Sequence, residues 1–257
     1  MKREIYLVWI SFLIYNVFMA KNSNFSQDLD KLGINLSSNQ ISKFEHFLEL
    51  LLAENEKYNL TAITDRDEAY KKHFIDSLSL INYGVDLLAE INLIDIGSGA
   101  GFPGIPLKIA FPQLNITLVD ATNKRVAFLN DIIGRLNLSG IKAVHGRAEE
   151  LAHQENFREQ YELCVSRAVA SLATLSEYCL PFVKPGGLFI AYKAEVAAAE
   201  ISSAENSISL LGGQAHQQMS FTLPNSDIVR SLVGIEKIRE TPSKYPRRAG
   251  LPGKRPL

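Results

Sequence analysis

Cysteine is scarce. Cys164 and Cys179 are the only two in 257 residues, too few for a disulfide framework. That scarcity fits a reducing compartment. The five histidines, His46, His73, His145, His153 and His216, show no metal-ligand spacing with the cysteines, so no metal is expected. Internal repeats and long low-complexity stretches are missing too. There is almost no net charge, and the formal −1 hides an uneven distribution along the chain.

A clear membrane span is also lacking. Lys2 and Arg3 precede an apolar run from Ile5 to Ala20, broken by Ser11 and Asn16. The run is a little short of the roughly 20 apolar residues that cross a bilayer. Its basic and apolar parts also resemble a signal peptide. The third reading takes Met19-Ala20-Lys21 as the true start, and the cytosolic look of everything downstream favours it. Residues 1–23 then form an extension outside the native fold. The protein is expected to be cytoplasmic, without a membrane partner.

From about Asn24 to Ile91 the pattern is helical. Ser37-x-x-Gln40 has the form of a capping box. Ile41, Phe44, Leu48, Leu51 and Leu52 then recur at helical spacing as one apolar face. Asn59-Leu60-Thr61-Ala62 breaks this helix. Thr64 with Asp67 is predicted to start another, carrying Tyr70, His73, Phe74, Ser77, Leu78 and Ile81.

At Asn92 the period changes. Apolar strands are predicted over 93–96, 115–120, 141–145, 163–166 and 188–192, with helices over 124–136, 171–183 and after Lys193. Two late strands, near 219–223 and 231–238, are expected to pair antiparallel. Such alternation argues for an α/β fold with a mainly parallel sheet covered on both faces. The expected organisation is a helical N-terminal subdomain (24–91), a Rossmann-like domain (92–240) and a basic C-terminal tail (241–257). Ligands of such sheets sit at the carboxyl ends of the strands.

The first strand runs into Asp95-Ile96-Gly97-Ser98-Gly99-Ala100-Gly101-Phe102-Pro103-Gly104. A glycine-rich loop alone is weak, because nicotinamide and flavin domains have one too. Asp95 sharpens it, since a dinucleotide fold usually has an apolar residue there. A carboxylate is a poor neighbour for a pyrophosphate but suits a cofactor with an ammonium group. S-adenosylmethionine (SAM) carries an ammonium and a sulfonium. Pro103 and Pro106 also disrupt a phosphate-facing helix start. Asp120 ends the second strand, nineteen residues past Gly101, where a carboxylate can accept both ribose hydroxyls. Ala148 and Glu149, after the third strand, would lie beside an adenine, although Glu149 and Glu150 also suit a helix start. Arg167, after the fourth strand, points to the place where methyl donor and substrate meet. A nicotinamide dehydrogenase and a noncatalytic RNA-binding module remain the alternatives.

The acceptor is narrowed by further absences. No Asn/Asp-Pro-Pro-Tyr motif follows the fourth strand, as exocyclic adenine methylation would suggest. Cys164 and Cys179 lie in a predicted strand and helix, where they read as core residues rather than nucleophiles. No obvious general base is present, which suits a free lone pair such as that of guanine N7. The segment from Lys244 to Pro256 holds five basic residues and no acid. Arg247, Arg248, Lys254 and Arg255 are the candidates for RNA phosphate contacts.

With these pieces assembled, the chain resembles the RsmG (GidB) family, guanine-N7 methyltransferases of bacterial 16S ribosomal RNA. The resemblance runs from about Ser37 to Leu257. Its most specific parts are Asn59 to Ile63, His73 to Leu78, Asp95 to Pro106, Ser166-Arg167-Ala168 and Lys244 to Arg248. It implies a SAM site lined by Gly97, Phe102, Asp120, Ala121, Thr122, Ala148, Glu149 and Arg167, to which the loop argument adds Asp95 and Gly99. It implies as substrate a guanine in the decoding-region loop, on 16S ribosomal RNA or a small-subunit assembly intermediate. A monomer is expected. Arg167 and His73 are the catalytic candidates, and the roles of His73 and Asp76 stay open.

Overall fold

The computed structural model describes residues 23–167, 170–194 and 198–257. The apolar run from Ile5 to Ala20 and its proposed start at Met19 lie outside the described residues. Among the described residues, no helix is long and apolar enough to cross a membrane.

Seven strands form one sheet in the order β3-β2-β1-β4-β5-β7-β6. They are β1 (Asn92–Ile96), β2 (Asn115–Asp120), β3 (Ile141–His145), β4 (Tyr161–Ser166), β5 (Val183–Lys193), β6 (Gly213–Thr222) and β7 (Val229–Lys237). Neighbours among β1 to β5 run parallel, while β7 lies antiparallel to β5 and β6. The order reverses at β1, which pairs with both β2 and β4. That switch point opens a crevice at the strand carboxyl ends.

Strand alternation assigns the two faces. Leu93, Leu163 and Val165 enter one buried cluster, while Ile94, Ile96 and Cys164 enter the other. Cys164 and Cys179 are buried free thiols, as expected of small core residues.

Helices α1 (Ser23–Lys31) and α2 (Ser38–Tyr58) precede the sheet. The capping box of α2 is formed: Ser37 Oγ accepts from the Gln40 amide at 3.3 Å, and Gln40 Oε1 accepts from the Ser37 amide at 2.9 Å. Gln40 Nε2 also donates to the carbonyls of Ile109 and Ala110 at 2.9 and 3.0 Å. Those carbonyls end α5 (Gly104–Ala110), the helix after the glycine loop. The cap thereby anchors α2 to the loop's own helix. Phe44, Phe47 and Phe74 share one core with Phe102, Leu118 and Leu129. Truncating the fully buried Phe74 to alanine would cost roughly 3–5 kcal/mol.

The second helix differs from its sequence reading. Its N-cap is Asp65, not Thr64, and accepts from the Glu68 amide at 2.9 Å. The helix is also not uniform. It passes from α3 (Arg66–Ala69) through a π-helical turn (Tyr70–Ile75) into α4 (Asp76–Leu78) and a 3-10 turn (Ser79–Tyr83). Hydrophobic spacing does not distinguish these pitches: Tyr70, Phe74 and Leu78 are buried, and a stripe of three apolar residues four apart suits more than one of them. π-turns recur at functional sites, and this one carries His73.

The remaining helices are α6 (Asn123–Arg135), α7 (Ala148–Leu151), α8 (Leu172–Cys179), α9 (Ala198–Leu210) and α10 (Leu251–Lys254). The helix predicted over 171–183 stops at Cys179, where Pro181 tightens the chain into a 3-10 turn, and β5 starts at Val183.

Candidate active site

The glycine loop is tied to β2 by two bonds, the Gly97 and Ser98 amides donating to the Val119 carbonyl at 2.9 and 3.0 Å. Gly99 has φ 58°, which favours glycine, and its amide donates to Asp120 Oδ2 at 3.0 Å. Gly104 marks a close approach. A Cβ there would fall 2.2 Å from Leu118 Cδ2, and the space lets its amide donate to Asp95 Oδ2 at 3.0 Å.

Asp95, which the sequence places at the ligand site, is fully buried and braces the loop from beneath. Its Oδ1 has no hydrogen-bond partner. Burial pushes its pKa up to about 7, against the lowering effect of the Gly104 amide. The unfolded carboxyl ionises near the usual value of about 4. Between these values the folded protein binds more protons, so this contribution to stability is lost as pH rises through the window. Asp95→Asn keeps an acceptor for Gly104 and removes the titration. Thermal unfolding without ligand should show the parent losing stability relative to this variant from about pH 4 to about 7. Parallel pH profiles would contradict the assignment.

Asp120 ends β2 with both oxygens engaged. Oδ1 accepts from the Thr122 amide at 2.8 Å and Oδ2 from Gly99, with Arg125 Nη1 at 3.5 Å. Ala121 and Thr122 are exposed beside it. Ala148 and Glu149 open α7 after β3, and both are buried. The Glu149 carboxylate accepts from the Gly250 amide at 2.8 Å. These residues therefore gather at the carboxyl ends of β1, β2 and β3. Phe102 shares only its backbone with the loop. Its ring packs into the core, stacked on His73 at 4.6 Å and tilted against Phe47 at 5.3 Å.

Arg167 follows β4, across the switch point. Its guanidinium lies 5.0 Å over Phe102, and Nη1 donates to Asp76 Oδ2 at 2.9 Å. The other oxygen of Asp76 accepts from Arg230 Nε at 3.1 Å. A cleft of about 730 Å³ opens here, lined by Lys72, His73, Asp76, Arg167, Lys193, Glu200 and Arg230 among others. The Asn59 to Ala62 break has a use in this arrangement. Asn59 ends α2 in the left-handed region, the Asn55 side chain accepts from the Thr61 amide at 2.8 Å, and Thr61 Oγ1 meets His73 Nε2 at 2.8 Å. Burial and the nearby Arg167 push the His73 pKa down to about 4. His73 is thus held neutral by its surroundings, stacked on Phe102 and hydrogen-bonded to Thr61, while it lines the cleft.

Residues 40–229 match the family described as rRNA small subunit methyltransferase G (GidB). The chain belongs to this family. The ribosomal RNA small subunit methyltransferase G of Lachnoclostridium phytofermentans is 49% identical over 239 residues, covering 93% of this chain and 98% of that protein. Its counterpart from Alkaliphilus metalliredigens is 51% identical over 227 residues, covering 88% and 95%. A solved putative transferase from Pyrococcus horikoshii shares the fold at 9% identity, with a TM-score of 0.51 over 65% of this chain and 64% of that one. The α/β methyltransferase fold expected from the sequence is the observed one.

The basic tail is not a loose arm. Arg247 grips the fully buried Glu177, with Nε 2.9 Å from Oε1 and Nη2 2.6 Å from Oε2. Its amide also donates to Glu177 Oε1 at 2.8 Å, and Nη2 donates to the Arg255 carbonyl at 2.8 Å. Arg247, expected to contact RNA phosphate, thus has its Nε and Nη2 engaged within the protein, where a buried carboxylate needs its cation. Arg248, Lys254 and Arg255 are exposed.

Sequence reasoning missed Lys72, Lys193 and Arg230, and it left Asp76 without a role. Lys193 could have been found, since it closes an apolar strand as Arg167 follows one. Arg230 gave no local signal, because its partner Asp76 lies 154 residues away.

Proposed function

We propose that the protein uses SAM to methylate N7 of a guanine in the decoding-region loop of bacterial 16S ribosomal RNA. It acts in the cytoplasm, as a monomer, on that RNA or a small-subunit assembly intermediate, and without a metal. Family membership across residues 40–229 carries the reading.

The residues fit the cofactor. Asp120 offers a carboxylate to the ribose hydroxyls, and the exposed Ala121 and Thr122 border the same edge. Gly97 and Gly99 give backbone access, Phe102 contributes backbone, and Ala148 and Glu149 flank the adenine. The buried, unpartnered Asp95 oxygen suits a cationic ligand above the loop. Arg167 stands between the cofactor and the substrate cleft. SAM supplies an electrophilic methyl group on its sulfonium. Guanine N7 carries a lone pair and no proton, so the protein has only to align donor and acceptor. A His73 held neutral and bonded to Thr61 agrees with chemistry that needs no base. Arg248, Lys254 and Arg255 contact phosphates at the rim.

The test is methyl transfer to small subunits that lack the modification, followed by digestion to nucleosides. The expected product is 7-methylguanosine. N6-methyladenosine or 5-methylcytidine in its place would sink the reading.

A further inference from the structure

The cleft beside Arg167 holds an excess of positive charge. Lys72, Arg167, Lys193 and Arg230 line it, against the carboxylates of Asp76 and Glu200. His73 adds no charge near neutral pH. Such a cluster would repel a purine that becomes cationic on methylation, unless an anion sits between them. RNA brings that anion with every nucleotide. The cleft is also the size of a small-ligand site.

Its cations are set rather than loose. Asp76 is 4% exposed and forks to two arginines, Arg167 just after β4 through Oδ2 and Arg230 on β7 through Oδ1. Carbonyls of Lys72 and His73 accept from Arg167 Nη1 at 3.3 and 3.4 Å, and the Val229 carbonyl accepts from Arg230 Nη1 at 2.9 Å. Among the described residues, Nη2 of either arginine has no protein acceptor. Glu200 fixes Lys193 Nζ at 2.8 Å while accepting from the Leu172 amide at 2.9 Å. Lys72 is held by Glu68 at 2.8 Å on the outer side.

We propose that this cleft is a phosphodiester subsite for the acceptor nucleotide, formed by Arg230, Lys72 and Lys193, with Asp76 as the positioning residue that aims Arg230 and Arg167. The proposal rests on the RNA-methylating reading above. The phosphate anchors the nucleotide beside Arg167 and offsets the charge that appears on the base.

The experiment measures RNA binding by the full chain, saturated with S-adenosylhomocysteine, across a salt series. The RNA is the substrate that the parent protein methylates. Arg230→Gln and Lys72→Gln should each weaken binding about tenfold at low salt. Each should flatten the log–log salt slope by about 0.7, one phosphate contact on a single strand. SAM affinity should stay within about twofold of the parent value. Asp76→Asn is the sharper variant. Removing a negative charge from a cationic cleft would tighten RNA binding if charge alone mattered. A positioning role gives weaker binding, because the two arginines lose their aim. Unchanged salt slopes for Arg230→Gln and Lys72→Gln, or tighter binding by Asp76→Asn, would overturn the proposal. Lys72 is half-exposed on a helix, so its variant keeps the test open if Arg230→Gln folds poorly. A parent protein that binds SAM but methylates no RNA would sink the proposed function itself, and the subsite with it.

Discussion

Asp120→Ala is expected to weaken SAM binding by at least about tenfold. Each hydrogen bond from a ribose hydroxyl to a carboxylate contributes roughly 1.5–3 kcal/mol, and one such bond lost is already about tenfold. The carboxylate does a second job. It accepts from the amides of Gly99 and Thr122, so it also fixes the loop and the start of α6. Asp120→Asn separates the two effects, since an amide oxygen can still accept from one of these groups. Titration calorimetry on folded protein gives the answer. Unchanged affinity in Asp120→Ala would remove Asp120 from the cofactor site.

Arg247→Ala is expected to lower stability by about 3 kcal/mol, because it strands the fully buried Glu177 without its cation. In a protein of this length that is a fall in Tm of roughly 6–12 °C. Arg248→Ala, one residue on and exposed, should change stability by less than about 0.5 kcal/mol. The pair of measurements separates an inner tail residue that holds the fold from outer residues that are exposed. Equal, small shifts in both variants would mean that Glu177 finds another partner and that the docked tail contributes little.

The basic tail shows where a sequence stops being informative. The charge on Arg247 is evident in the chain, but the acid it serves lies 70 residues earlier. Phosphate and a buried carboxylate attract the same guanidinium, and composition does not separate them. Asp95 poses the same problem at shorter range. Its position before the glycines is legible, yet its depth depends on Leu118 and Gly104 closing over it. By contrast, the capping box at Ser37, the short apolar strand β1 and the acid ending β2 are local patterns set by hydrogen-bond reach and side-chain chemistry. Those emerged as read. The π-turn at Tyr70–Ile75 did not, because an apolar stripe of three or four residues fits more than one helical pitch. The fork from Asp76 to Arg167 and Arg230 is wholly tertiary. It joins a helix, the end of β4 and β7, and no spacing within any one of them announces it.

The central claim, methylation of guanine N7 in the decoding-region loop, has its most direct test in cells. The measurement is mass mapping of 16S ribosomal RNA from a strain with the protein and from one lacking it. The expected result is a single decoding-loop guanosine that is heavier by one methyl group only when the protein is present, and that releases 7-methylguanosine on digestion. Identical maps from the two strains, or a difference confined to an adenosine or cytidine, would contradict the account.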